Sequence, residues 1–414
     1  MTQLFALLAS YLLIPILIRR KVKLSHTLLI TAVCLGVLSG IGIDSLKEIF
    51  TGLWTNPSSL NTILVVAMVS ILGGLMNHYG LLGRIVASLQ AITQSKKISM
   101  VAIPALIGVL IIPGGAMLSA PFVDSIGQEV GMKPARRAAV NLVFRHLAMF
   151  LMPYSTSLLV VGAALPQIDI YKMISLNLAM VVSMLAIGNY LLMRDVPGKK
   201  ATPGDGRQAR LFKLVPELLL YSSPIYICVL INLIFGWPFS LAMVASLGAV
   251  FLLSDKRDFL KVCIKSFNGN VVLIVAVVLI MKDIILNMEG LMALLRSLFS
   301  LGNGTVTAVA VIFLTSLLIG YATGYSVAAL AVTLPMISEL GASLPMLHVF
   351  AYFAFGSSFV GYFFSPLHLC QAFTLQIMGV TTSELYREYK RYAPLLLIAL
   401  LTSGILMIAI ASRL

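Results

Sequence analysis

The sequence predicts an all-α polytopic membrane protein made of two inverted repeats, each with five transmembrane helices plus one re-entrant hairpin. Composition is the first observation behind this. Of 414 residues, 59% are hydrophobic and only 11% charged, against about 25% charged in a soluble domain. Run length is the second. Apolar stretches long enough to cross a bilayer recur along nearly the whole chain, and they are continuous, whereas a membrane barrel would alternate with period two. The third is an internal repeat. An apolar run with a polar break, a Gly-containing break and a Ser/Pro-rich break follow one another in the same order in each half, offset by about 210 residues.

Taken in order, crossings are expected at 3–18, 27–43, 60–78, 138–164, 171–193, 214–235, 239–253, 269–287, 348–378 and 392–412. Two more apolar stretches, 98–131 and 304–337, are broken midway and read as hairpins that enter and leave on one side. The hydrophilic RDVPGKKATPGDGRQARLFK, 194–213, is a linker between the repeats 1–193 and 214–414. Five crossings per half is an odd number, so the halves are inverted relative to each other.

Charge tests this layout. Formal net charge is +14, with 29 Lys and Arg against 15 Asp and Glu. Such an excess could mark nucleic-acid binding. Here the basic residues sit in short loops between spans, which is the positive-inside bias, so the lipid bilayer is the expected partner and nucleic acid is not. With both termini outside, the cytoplasmic side collects Arg19, Arg20, Lys21, Lys23, Lys96, Lys97, Arg136, Arg137, the linker cations and Arg387 to Arg391, while Lys47, Lys172 and Arg296 remain outside. The first apolar run lacks a basic segment before it and is expected to stay as a span. The inner membrane of a prokaryote is the expected location.

The expected site lies where backbone is irregular at membrane depth, because only protein or a water-filled cavity can satisfy such backbone. PGGAMLSAP, 113–121, makes the first hairpin tip. Gly114, Gly115 and Ser119 would approach substrate, and the helix N-terminus that follows favours an anion. The matching tip in the second half carries Thr323, Gly324, Tyr325 and Ser326. Pro153 and Pro366 break the next spans and free carbonyls. Near them stand Tyr154, Ser155, Thr156 and Ser157 in one half, and Ser365, His368 and Gln371 in the other. Substrate contacts are assigned to Gly114, Gly115, Ser119, Asn141, Arg145, Gly324, Tyr325, Ser326 and His368. Oxygen ligands for a coupling cation such as Na⁺ are assigned to Pro113, Tyr154, Ser155, Thr156, Ser157, Thr323, Ser365 and Gln371. Residues 113–119 and 153–157 would line one half-site, and 323–326 and 365–371 the other.

Arg145 lies inside a span, where it pairs with an anionic substrate, snorkels to the surface, or pairs with Asp124 or Glu129. His146 is expected to pack. Lys282 and Asp283 are neighbours in sequence, so each is expected to need its own partner. Cys34, Cys228, Cys263 and Cys370 show neither metal spacing nor a disulfide framework and read as packing thiols. There is no P-loop, nucleophile elbow or metal-ligand motif, so neither an enzyme nor a bound cofactor is expected, and no metal beyond Na⁺.

PGGAMLSAP, the basic KPARRAAVN at 133–141, and the two five-crossing halves together resemble the uncharacterised integral membrane family called domain of unknown function 401. That family is grouped with the ion transporter (IT) superfamily, alongside gluconate, citrate and dicarboxylate permeases. The resemblance implies a homodimer with a fixed scaffold and a transport domain that carries both hairpins and moves elevator fashion, driven by Na⁺ or H⁺. Dicarboxylate carriers of the superfamily have Ser-Asn-Thr at both tips, which this sequence lacks. The expected function is secondary active transport of a small organic anion, such as a carboxylate or sugar acid. The alternatives are an ion or solute channel, or a membrane protein without small-molecule transport. Residues 1–58 and 214–265 would be scaffold, and 59–193 and 266–414 would carry the hairpins and transport-domain elements.

Overall fold

The computed structural model describes residues 2–109, 116–198, 207–299 and 304–413, and every regular element there is helical. The first half runs α1 (Thr2–Arg19), α2 (Leu24–Leu38), α3 (Ile43–Thr55), α4 (Pro57–His78), α5 (Leu81–Thr93), α6 (Lys96–Val109), α7 (Ala116–Glu129), α8 (Pro134–Arg145), α9 (Leu147–Leu151), α10 (Thr156–Ala164) and α11 (Ile170–Leu192). The second runs α12 (Arg207–Phe235), α13 (Phe239–Leu253), α14 (Phe259–Ser266), α15 (Gly269–Leu286), α16 (Glu289–Phe299), α17 (Gly304–Thr323), α18 (Ser326–Ser338), α19 (Leu344–Phe364), α20 (Leu369–Met378) and α21 (Thr382–Ala411). Among the described residues, nine helical segments are long and apolar enough to cross a membrane, which makes this a multi-pass membrane protein.

Helix starts follow local sequence. Asn56 accepts from the Ser58 and Ser59 amides, with Pro57 in the first turn of α4. Asp169 caps α11 through the Tyr171 and Lys172 amides. Thr381 and Glu384 form a capping box at α21. That box moves the last crossing's start from the expected 392 back to Thr382, because a capped helix extends through polar sequence outside the apolar run.

Another expectation is corrected at 27–43. The run ends at Leu38, the chain turns at Gly40 with φ 72°, and α3 follows as a separate amphipathic helix. It buries Ile49 and Leu53 and exposes Phe50 and Trp54. A short amphipathic counterpart, α14, precedes α15. Hydropathy alone missed both, since their apolar stripes are too narrow to register as spans.

The two halves exchange partners in matched pairs. α4 packs on α13 and α14, and α15 packs on α2 and α3. α5 packs on α12, and α16 on α1. α7 packs on α20, and α18 on α10. α11 packs on α19, and α21 on α8. The twice-broken span 134–164 and the once-broken span 344–378 form the centre. Their apolar windows are 72% and 89% buried, against 22% for α1 and 17% for α21, which leaves the last two largely exposed on the outside of the bundle.

α17 and α19 meet backbone to backbone, through Gly320 and Gly361. A Cβ at Gly320 would stand 2.6 Å from the Ser358 carbonyl oxygen, and one at Gly361 would strike the Leu317 carbonyl and come 2.8 Å from the Tyr321 amide. Small residues let two backbones touch, which suits helices that have no hydrophobic drive to associate in lipid.

Several charged groups have partners that sequence reasoning did not assign. Arg137, grouped with the cytoplasmic cations, is buried and bonds Asp124 Oδ1 through Nε at 2.8 Å. Glu129 pairs with Lys96 at 2.9 Å. Both acids proposed as partners of Arg145 are therefore engaged elsewhere. Lys282 Nζ reaches the neighbouring Asp283 at 2.8 Å, against the expectation of separate partners. A lysine stem is long enough to fold back along the helix surface, so the rule that adjacent positions diverge applies to Cβ directions and does not bind a flexible tip.

Candidate functional site

The site is assembled from helix breaks. After α9 the chain leaves helical geometry at Met152, and Ser155 restarts it by accepting from the Leu158 amide while its own hydroxyl donates to the Met149 carbonyl. After α19, Ser365 plays the matching part. Its hydroxyl donates to the Tyr321 carbonyl at the end of α17 and accepts from the Leu367 amide. Gly324, at φ 66°, lies with its α-carbon against the Leu367 backbone, where a Cβ would approach to 2.7 Å. Only glycine combines that left-handed turn with so close an approach. Thr323 secures the same turn by donating to the Ile319 and Tyr325 carbonyls and accepting from the Tyr325 amide.

The assigned residues meet across the expected half-sites. Ser157, in the first turn of α10, lies 3.1 Å from Ser326 in the first turn of α18, both buried. The helix after each break thus packs on the second arm of the opposite hairpin, α10 on α18 and α20 on α7. Asn141 donates to Thr374 of α20 at 3.0 Å.

At the centre, Arg145 is buried, with Tyr362 and Cys370 beside it. Burial removes the snorkelling alternative. Behind it, the His146 and His368 rings meet edge to face with centroids 4.9 Å apart, and Tyr362 lies over His368 at 4.2 Å. Tyr325 is near Tyr362. Gly108 of α6 presses on the Arg145 backbone, where a Cβ would come 3.0 Å from its carbonyl carbon.

Among the described residues, Ser119 Oγ, Asn141 Oδ1, His368 Nε2 and Gln371 Oε1 are buried without a hydrogen-bond partner. All four belong to residues assigned to the site from sequence. A buried polar atom without a partner is costly, and such atoms gathered on the helices α7, α8 and α20 and the break before α20 favour a polar ligand among them.

Other assigned residues stand apart. Tyr154 turns away, and its hydroxyl donates to the Ile225 carbonyl of α12 at 3.3 Å. Thr156 joins it on a void of about 10 Å³ shared with Val66, Val69 and Val271. Pro113, Gly114 and Gly115 lie outside the described residues. A larger cleft of about 250 Å³, between α3 and the end of α15, is open to the surface and involves none of the assigned residues. Sequence reasoning missed Tyr362 and Thr374, and read Cys370, inside the expected half-site 365–371, as a packing thiol. Tyr362 directly follows the glycine that joins α19 to α17, and that neighbourhood was its only signal.

Comparison with known proteins adds fold and family. No curated protein sequence matches the chain. A solved structure, the Alcanivorax borkumensis YdaH transporter, whose topology is described as unusual, superposes with TM-score 0.53 over 88% of this chain and 89% of its own, at 17% identity. That likeness is one of fold. The family model described as protein of unknown function (DUF401) matches residues 2–411. With nearly its whole length inside that match, the chain belongs to the DUF401 family.

Proposed function

We propose that the chain is a secondary active transporter of a small organic anion, such as a carboxylate or sugar acid, coupled to Na⁺ or H⁺ and moving by an elevator mechanism. The observation that carries this reading is the meeting of α10 and α18 at Ser157 and Ser326, matched by α20 on α7, with an unpartnered polar atom on each of Ser119 of α7, Asn141 of α8, and His368 and Gln371 at the start of α20. Helix N-termini supply partial positive charge and free amides to an anion, and broken helices supply carbonyls and hydroxyls to a cation. Arg145, buried at the centre, would add a positive charge for a carboxylate.

The matched exchange of helix partners supports two inverted repeats. The likeness to a solved transporter fits a carrier and gives no reason to expect an enzyme. On this reading the family sits in the IT superfamily, the chain works as a homodimer in the inner membrane with both termini outside, and residues 1–58 and 214–265 form the scaffold.

Melting the purified protein in detergent with a panel of carboxylates, sugar acids and amino acids, each in Na⁺ and in K⁺, tests the reading. A ligand that binds only the folded state raises the melting temperature, by about 2.7 kcal/mol of added stability at a hundred times its Kd. A shift confined to particular anions is expected, and a Na⁺ requirement would name the coupling ion. No shift with any anion in either salt, together with no uptake in proteoliposomes, would overturn the proposal. Gly114→Val and Gly115→Val are expected to abolish uptake in a protein that still inserts. Full uptake by both would remove the first hairpin tip from the site.

Arg145→Lys tests the anion contact separately. A planar fork that holds a carboxylate through two bonds becomes a point charge. Affinity for the stabilising anion is expected to fall by about tenfold, or roughly 1.4 kcal/mol. Unchanged affinity would mean that Arg145 holds protein groups only.

A further inference from the structure

The two histidines at the centre are held in a way that anion transport does not require. His146 sits in the turn between α8 and α9, and its Nδ1 lies 2.7 Å from the Leu142 carbonyl. His368 ends the break before α20, and its Nδ1 lies 3.2 Å from the Phe363 carbonyl. A carbonyl oxygen only accepts, so each Nδ1 carries the ring hydrogen and each Nε2 presents a lone pair. Backbone carbonyls that fix the tautomer in this manner are the usual outer shell of metal-binding imidazoles.

The lone pairs point into one place. His368 Nε2 is buried and unpartnered among the described residues. His146 Nε2 meets the Tyr362 hydroxyl at 3.1 Å. Cys370, in the first turn of α20, brings its sulfur to the same spot, and one ring nitrogen of each histidine and Sγ lie within 4.8 Å of one another. Both histidines are almost fully buried, at 3% and 1% exposure.

We infer that His146, His368 and Cys370 form a binding site for one thiophilic transition-metal ion, of the Zn²⁺ and Cu⁺ class. Two imidazole nitrogens and one sulfur suit such ions, whereas Na⁺, Mg²⁺ and Ca²⁺ take oxygen. On binding, the metal forms bonds to both Nε2 atoms and to Sγ. The thiol hydrogen leaves as a proton to solvent, and no electron is transferred. The hydrogen bond from Tyr362 to His146 gives way to the metal bond. Arg145 lies beside Cys370, so a cation already stands on one flank of the thiolate that metal binding creates. The linear spacing hid this site, because one imidazole comes from the first half and the other two ligands from the second. It competes with the transport reading for His368 Nε2, but its test needs only a bound ion and no translocation.

The test uses metal-free full-length protein in detergent, titrated with Co²⁺ as a spectroscopic probe and then with Zn²⁺. The expected result is a thiolate-to-cobalt charge-transfer band that saturates at one ion per chain and is abolished by Zn²⁺. Cys370→Ser, nearly isosteric, should lose the band while keeping the parent's elution profile. His368→Ala should weaken binding by at least about tenfold. His348 is the control. Its Nδ1 also lies on a carbonyl, that of Leu344, but its Nε2 already accepts from the Asp169 amide, so His348→Ala should bind Co²⁺ like the parent. A parent protein with no charge-transfer band overturns the inference. So does a band that survives Cys370→Ser, which would place the ion on Cys34, Cys228 or Cys263.

Discussion

Gly361→Ala lowers the melting temperature of the protein in detergent and cuts the yield of folded material, although it adds a single methyl group. The cause is the α17–α19 contact. The new Cβ would strike the Leu317 carbonyl and stand 2.8 Å from the Tyr321 amide nitrogen. Both are backbone, so no side chain can turn aside. One helix must move, and with it go the Ser365 bond to Tyr321 and the seat of Gly324 on Leu367. Overpacking of this kind costs about 3 kcal/mol where nothing can give. Gly83→Ala is the control. That residue is helical and exposed, and nothing lies within 4 Å of its would-be Cβ. There the methyl should stabilise by about 0.5–1 kcal/mol, the ordinary gain for a helix interior. Equal melting temperatures for Gly361→Ala and the parent would mean that α17 and α19 do not meet backbone to backbone.

Those glycines show what the sequence makes legible and what it does not. Gly320 and Gly361 are visible as letters, but nothing local says that they face each other. The breaks at 152–155 and 365–368 are local, and proline's missing donor made them readable. The caps Asn56-Pro57 and Thr381 to Glu384 are just as local, but a reading by apolar runs passed over them. Long apolar runs were readable for the same reason, because a bilayer imposes one length on every crossing. Amphipathic α3 was not, since neither its stripe nor its mean hydropathy reaches the threshold of a span. At the site, residue types pointed to the right segments but their pairing did not follow. Ser157 finds Ser326 across 169 positions, and Asn141 finds Thr374 across 233. Tyr154 and Ser157 are three positions apart, yet one serves α12 and the other α18. Side-chain direction at a helix start depends on where the break leaves the first turn, and that is a tertiary outcome.

The polar lock on the first hairpin is the other place where a large effect is expected. Two ion pairs involve its second arm, α7, and they differ in burial. Lys96 and Glu129 are about half exposed, at 49% and 55%. Arg137 and Asp124 are 10% and 20% exposed. The Arg137 guanidinium also donates to the Met132 carbonyl at 2.7 Å, and its stem lies over Gly127, leaving no room for a side chain there. Arg137 therefore ties α7, the turn after it and the start of α8 together, next to the segment that carries Asn141 and Arg145. Breaking a buried pair leaves one charge without compensation, and this costs far more than the pair's net worth. Arg137→Ala is expected to destabilise by about 3 kcal/mol. Lys96→Ala should cost about 1 kcal/mol or less, since exposed pairs are screened and pay side-chain entropy. Arg137→Lys should recover part of the loss, because an ammonium can hold Asp124 but cannot also span to Met132. A double-mutant cycle with Asp124→Asn isolates the pair from the Met132 bond and the packing over Gly127. If Arg137→Ala melts with Lys96→Ala, the pair is solvated in the membrane-embedded protein and the hairpin's arm is held by apolar contact alone.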